Sequence, residues 1–160
     1  MSNANVEIAG GLFVKQDFLR ILTGEVADAL REGRPYAVVA VAPQHFEGED
    51  ITDVMRVVAA CVRDLVRDED IAGHVADDAV AIGLHGGDCT SAAILAQRLT
   101  SDLRLRSLHL RSTRWEMGHA CLPDDGSTAQ ELLAAAIDNA KMRRRRLAAQ
   151  ILPAQTLAAQ

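Results

Sequence analysis

The stretch that most constrains this chain runs from Arg67 to Leu84, RDEDIAGHVADDAVAIGL. It reads as a strand (Ile71 to Val75), a turn (Ala76-Asp77-Asp78) and a second strand (Ala79 to Leu84). Asp-Asp between small residues suits a two-residue hairpin loop, because Asp tolerates left-handed backbone angles. AVAIGL is short, apolar and partly β-branched, the composition of a strand buried on both faces. A hairpin is antiparallel by construction, whereas the sequence around it alternates helical and strand patterns. That combination predicts an α/β (α+β) fold: a mixed sheet of about five strands, with helices packed against it.

The remaining elements follow from periodicity. From Phe13 to about Glu32, Phe18, Ile21, Leu22, Val26 and Leu30 recur at helical spacing, and Gly33-Arg34-Pro35 stops the run. Tyr36 to Ala42 (YAVVAVA) is a buried strand ended by Pro43. A second helix, about Glu49 to Arg67, carries one apolar stripe: Ile51, Val54, Met55, Val58, Cys61, Val62 and Leu65. After the hairpin, His85-Gly86-Gly87-Asp88 is a loop. Thr90 is the expected cap of a third helix, with Ile94, Leu95, Leu99 and Leu103 facing inward. Leu105 to Ala120 holds one or two strands, with Trp115 and Met117 on a core-facing alternation. Pro123-Asp124-Asp125-Gly126 is a turn. Ser127 with Gln130, or Thr128 with Glu131, then offers a capping box for a last helix through Leu132, Leu133, Ala136 and Ala140. Met1 to Gly11 reads as a lead-in, residues 12–146 as one domain, and Leu147 to Gln160 as a tail or helix extension.

Charge and cysteine usage exclude several classes. A net charge of −5 gives no overall attraction to nucleic acid or to an anionic membrane. The three cysteines, Cys61, Cys89 and Cys121, show no CxxC spacing. No signal peptide or bilayer-length apolar run is evident, so a reduced, cytoplasmic setting is expected, with no cofactor. Cys61 lies on the apolar stripe and reads as inert core. His74 reads as a surface-facing strand residue. His85, Asp88 and Cys89 lack the second cluster that a metal site needs. Arg143 to Arg146 read as a solvated helix end, since cations suit a helix C-terminus.

The order and spacing of these segments resemble a GGDEF domain, the fold of bacterial diguanylate cyclases, from Gly11 to about Arg146. FVKQDFLRILTGEVADALREGRPYAVVAVAPQHF is similar to the family's opening helix, its first strand and the Phe that follows. DIAGHVADDAVAIGL is similar to the hairpin, and sets Ala76-Asp77-Asp78-Ala79-Val80 where the family writes Gly-Gly-Asp-Glu-Phe. AAILAQRL resembles the next helix, RWEMGHA the strand with a Ser-x-Gly-x-Ala pattern, and ELLAAAIDNAK the last helix. A literal Gly86-Gly87-Asp88 precedes a helical pattern rather than a strand, so it is a loop and not the signature.

The resemblance implies loss of the family's catalysis. Cyclisation of two GTP molecules needs carboxylates that hold a divalent metal against triphosphate. The family's metal Asp aligns with Ala42, which has no ligand atom. Ala79 replaces the acid beside Asp78, and Ala76 and Asp77 replace the glycines that admit the nucleotide. The family's phosphate-side Lys is Glu47, and the guanine-reading segment after Phe46 is shortened.

The family also has a regulatory site for its product cyclic di-GMP, an Arg-x-x-Asp five residues before the signature. Here Arg67-Asp68-Glu69-Asp70 stands at that spacing from Ala76, and Arg98 aligns with the family's third contact. A guanidinium donates in pairs to a guanine edge or a phosphate, and a carboxylate accepts from guanine N–H groups. Two readings follow. The chain is an inactive cyclic di-GMP receptor that relays occupancy to a protein partner, or Arg67 and Asp70 are a solvated ion pair in a module for docking or self-association.

Overall fold

The computed structural model describes residues 8–9, 11–44, 50–110 and 113–142, and no side chain before Gly11. In chain order the strands are β1 (Ile8–Ala9), β2 (Leu12–Phe13), β3 (Tyr36–Gln44), β4 (Ile71–Ala76), β5 (Ala79–His85) and β6 (Arg114–Cys121). The helices are α1 (Lys15–Glu32), α2 (Ile51–Leu65), α3 (Cys89–Arg106) and α4 (129–142). One mixed sheet has the order β1-β2-β4-β5-β3-β6. Among the described residues the only parallel pair is β2 with β4; the β1–β2, β4–β5, β5–β3 and β3–β6 pairs are antiparallel. The helices lie on both faces of this sheet. Ala37, Val39, Val41 and Ile82 pack with α2 and α3, while Val38, Ala40 and Ala81 pack with α1 and α4.

The hairpin forms where the sequence predicts it, with Ala76 pairing Ala79 across Asp77-Asp78. Every residue from Ala79 to Leu84 is buried, which explains the unbroken apolar run. The turn chemistry differs from expectation: neither Asp77 nor Asp78 takes a positive φ. A register shift between His74 and Ala76 bulges Val75 instead. A bulge supplies the twist that a left-handed turn would otherwise provide.

Several boundaries are corrected. The supposed lead-in contains a strand, because Gly11, at φ 86°, reverses the chain and lays Ile8–Ala9 along Leu12–Phe13. Leu30 is exposed, since the buried stripe of α1 runs Phe18, Leu22, Val26, Ala29. The cap of α3 is Asp88 rather than Thr90: the Asp88 carboxylate accepts from the Ser91 N–H at 2.8 Å and from its hydroxyl at 3.0 Å. Ile94 is 53% exposed, because the inward stripe passes through Ala92, Leu95, Ala96, Leu99 and Leu103, one step round the helix. α3 continues to Arg106, so Leu105 to Ala120 holds a single strand among the described residues. The α4 cap follows the Thr128–Glu131 alternative in part: Thr128 Oγ1 accepts from the Glu131 N–H, and the Glu131 carboxylate reaches back to the Ser127 N–H. Phe46, Glu47, Arg143 to Arg146 and the tail lie outside the described residues.

Candidate functional site

The register of the sheet positions the first candidate residue. Ile71 pairs with Gly83, so Asp70, just before β4, stands beside the end of β5. Its Oδ1 accepts from the His85 N–H at 3.0 Å, and its Oδ2 takes a longer bond, 3.4 Å, from the Arg67 N–H. The Asp70 N–H donates in turn to the Arg67 carbonyl at 3.1 Å, closing a tight loop between α2 and β4. Burial raises the Asp70 carboxyl above its ordinary range, against the opposing effect of the His85 and Arg67 N–H groups and the Arg67 charge.

Arg67 and Asp70, from the loop between α2 and β4, and Arg98, from α3, line one cavity of about 210 Å³. Both guanidinium-bearing residues are exposed. Neither forms an ion pair with a described residue, so both can donate to an added ligand. Leu65, Leu84, Leu95 and Ile94 supply apolar walls, and Gly86, Gly87 and Ser91 form the rim near the start of α3. Sequence patterning singles out neither Ser91 nor Ile94 as lining. The one available signal is that Ile94 and Arg98 stand four apart on the same helical face. The volume is below the roughly 300–1,000 Å³ typical of small-molecule pockets. It can enclose part of a ligand, such as one base.

The hairpin tip lies at the opposite end of β5. Val41 pairs with Val80, which sets Ala42 next to the Asp77-Asp78 turn, and Ala42 itself pairs with Glu116 of β6. Ala76, Asp77 and Asp78 are exposed, while Ala79 and Val80 are buried. The donors here do not fit a divalent cation: Ala42 offers none. The only described trio of His, Cys, Asp or Glu close enough to share an ion is elsewhere, at Cys89, Cys121 and Asp125.

That trio corrects the cysteine reading. Cys89 and Cys121 are joined by a disulfide with a Cα–Cα separation of 5.7 Å, and Cys61 is the free, buried thiol. Spacing along the chain could not show this, because the partners are 32 residues apart and meet only through the packing of α3 on β6. His85, Asp88 and Cys89 do not gather into a cation site. The Asp88 carboxylate caps α3, and His85 sits at the cavity wall near Arg34 and Glu25. His74 is half-buried on β4. No described helix is long and apolar enough to cross a membrane.

No protein-family model and no curated protein matches the sequence. Solved structures do. The GGDEF domain of DgcB from Caulobacter crescentus, in complex with c-di-GMP, is 15% identical with a TM-score of 0.76, over 91% of this chain and 93% of that one. The GGDEF domain of YfiN (TpbB) from Pseudomonas aeruginosa is 21% identical with a TM-score of 0.72, over 86% and 93%. Diguanylate cyclase SiaD from Pseudomonas aeruginosa, in complex with its activator SiaC, is 18% identical with a TM-score of 0.73, over 86% and 56%. At these identities the likeness concerns architecture, and the architecture of this chain is the GGDEF-domain fold.

Proposed function

We propose that this chain is a signalling domain of GGDEF fold that does not cyclise GTP, binds cyclic di-GMP through Arg67, Asp70 and Arg98, and relays occupancy to a protein partner. The observation that carries this reading is the convergence of those three residues on one cavity. Two guanidiniums that form no ion pair with a described residue suit the phosphates or a guanine edge, and Asp70 keeps acceptor capacity for guanine N–H groups at Oδ2. The loss of cyclisation is supported by Ala42, which cannot hold a metal, and by Ala79 in the hairpin. That a relative of the same fold was solved with c-di-GMP, and another with a protein activator, supports the ligand class and the relay.

A second reading has one observation in its favour. Asp70 already clamps the His85 N–H, a purely structural use of its carboxylate. On that reading the chain is a ligand-independent docking or dimerisation module. Calorimetric titration with cyclic di-GMP separates the two. The receptor requires binding in the micromolar range, lowered at least about tenfold by Arg67→Ala or Arg98→Ala, roughly the loss of one charged hydrogen bond. Absence of heat and of any mobility change at high protein concentration refutes it. Incubation with GTP and magnesium is expected to give no cyclic dinucleotide.

A further inference from the structure

The disulfide stands beside the cavity: neither cysteine lines it, but Cys89 falls in the chain between the lining residues Gly87 and Ser91. Cys89 is the first residue of α3; Gly86, Gly87 and Ser91 on either side of it line the cavity, as do Ile94 and Arg98 further along the same helix. Its partner Cys121 is buried at the end of β6, on a rigid base. The Cys121 N–H donates to the Asp125 carboxylate at 2.9 Å and the Asp125 N–H to the Cys121 carbonyl at 3.0 Å. Cys89 is exposed, within reach of dissolved thiols. Two glycines stand in the loop between β5 and α3, and the disulfide adds to the bonds that hold it there: the Asp88 cap, the Gly87 N–H bond to the Leu84 carbonyl, the Ala92 N–H bond to the Asp88 carbonyl and the His85 N–H bond to Asp70.

We propose that Cys89–Cys121 is a redox latch on this cavity. The disulfide holds the first turn of α3 against β6 and keeps the wall formed; reduction releases that turn and weakens ligand binding. Closure proceeds by thiol–disulfide exchange with an oxidised low-molecular-weight disulfide. The Cys89 thiolate, at the positive end of α3, attacks one sulfur and expels a thiolate. The deprotonated Cys121 sulfur then attacks Cys89 and expels the second thiolate. The protein loses two electrons and two protons, and the small disulfide becomes two thiols. Deeper in α3, Leu95, Leu99 and Leu103 stay packed, so release is confined to the first turn and its loop.

The ligand arm of this proposal rests on the proposed function, but its structural arm does not. The full chain is oxidised with glutathione disulfide or reduced with dithiothreitol, and intact mass is read in each state. The oxidised protein is expected to be lighter by two hydrogens. Amide exchange over residues 85–95 is expected to be at least about tenfold faster on reduction, with β3 and β5 unchanged. Cyclic di-GMP affinity is expected to fall about fivefold or more. Cys89→Ser, at an exposed position, should reproduce the reduced behaviour under both conditions. Equal exchange in the two states overturns the latch, as does zinc bound by the reduced protein with exchange as slow as in the oxidised form. If exchange responds but no dinucleotide binds in either state, the latch stands and the ligand reading fails.

Discussion

Gly118, in the middle of β6, offers a sharp test of how the sheet and α4 are fitted together. A Cβ built there falls well under 3.0 Å from the Ala136 carbonyl oxygen and the Ala140 backbone nitrogen. These are backbone atoms of α4, so no side-chain rotation relieves the clash. Ordinary contact begins near 3.4 Å, and reaching it moves the helix off the sheet by roughly 1 Å, a gap that forfeits a quarter to a half of each dispersion well. Leu132, Ala136 and Ala140, all fully buried, lose contacts together. Overpacking costs about 1–3 kcal/mol, and an obstacle made of backbone sets the expectation at the upper end. For Gly118→Ala this corresponds to a fall in Tm of roughly 6–12 °C in a chain of this length. Gly24 is the control: it is exposed in α1 with nothing within 4 Å. Gly24→Ala is expected to stabilise by about 1 kcal/mol through helix propensity alone. Urea unfolding followed by far-UV circular dichroism, with all proteins in one thiol state, measures both. A Gly118→Ala protein within about 0.5 kcal/mol of the parent, or a shift of both variants in the same direction, would refute the reasoning.

Acid stability should reveal two capping carboxylates. Hydrogen bonds from Ser91 lower the Asp88 carboxyl below its ordinary range, and bonds from Ser127 do the same for Glu131. Their contributions are therefore complete above the ordinary carboxylate range and lost as pH falls through the depressed values. Asp70 is raised, so its contribution has the opposite sign and grows as pH falls through its raised value. Asp88→Asn with Glu131→Gln should flatten the acid limb of the urea midpoint, and Asp70→Asn should steepen it. Burial and the neighbouring Asp102 push the Cys61 thiol up to about 12. Iodoacetamide at pH 8 should leave Cys61 unmodified in the folded, reduced protein while Cys89 reacts; labelling of Cys61 at the rate of an unfolded control would contradict this. The Trp115 indole N–H donates to Ser107 Oγ at 3.0 Å, and Ser107 in turn donates to the Leu103 carbonyl. Ser107→Ala should cost about 1–2 kcal/mol and shift the emission of the single tryptophan, and an unchanged spectrum would count against the pairing.

The elements easiest to read in the sequence are those with one-dimensional causes. Buried β3 and β5 carry unbroken apolar runs, and α2 carries one clean stripe, so their positions follow from local pattern. The errors cluster where a residue's neighbour in the chain competes for the same role. Ile94 and Leu95 are both apolar, but only one can face inward, and the sheet decides which. Asp88 and Thr90 are both good caps, and the loop leaving His85 settles the choice. β1 and β2 are two residues each, too short for any periodicity to show, and the pairing of β2 with β4 joins segments some sixty residues apart.

The site divides in the same way. That Arg67 and Asp70 face a common space could be expected, since both stand in the short loop, residues 66–70, between a helix end and a strand start. That Asp70 spends one oxygen on the His85 N–H could not, because it depends on the pairing of Ile71 with Gly83. This second fact changes what a substitution there measures. Asp70→Ala removes both the acceptor for a ligand and the clamp on the end of β5, which leaves the His85 N–H without its partner at a cost of about 1–3 kcal/mol where water is excluded. Asp70→Asn keeps an acceptor oxygen for His85 while removing the charge. A ligand that depends on the carboxylate's charge must therefore lose affinity in Asp70→Asn while the protein remains folded, as far-UV circular dichroism at the assay pH checks. Equal binding by Asp70→Asn and the parent would assign Asp70 to the loop alone and leave the two arginines as the whole of the electrostatic recognition.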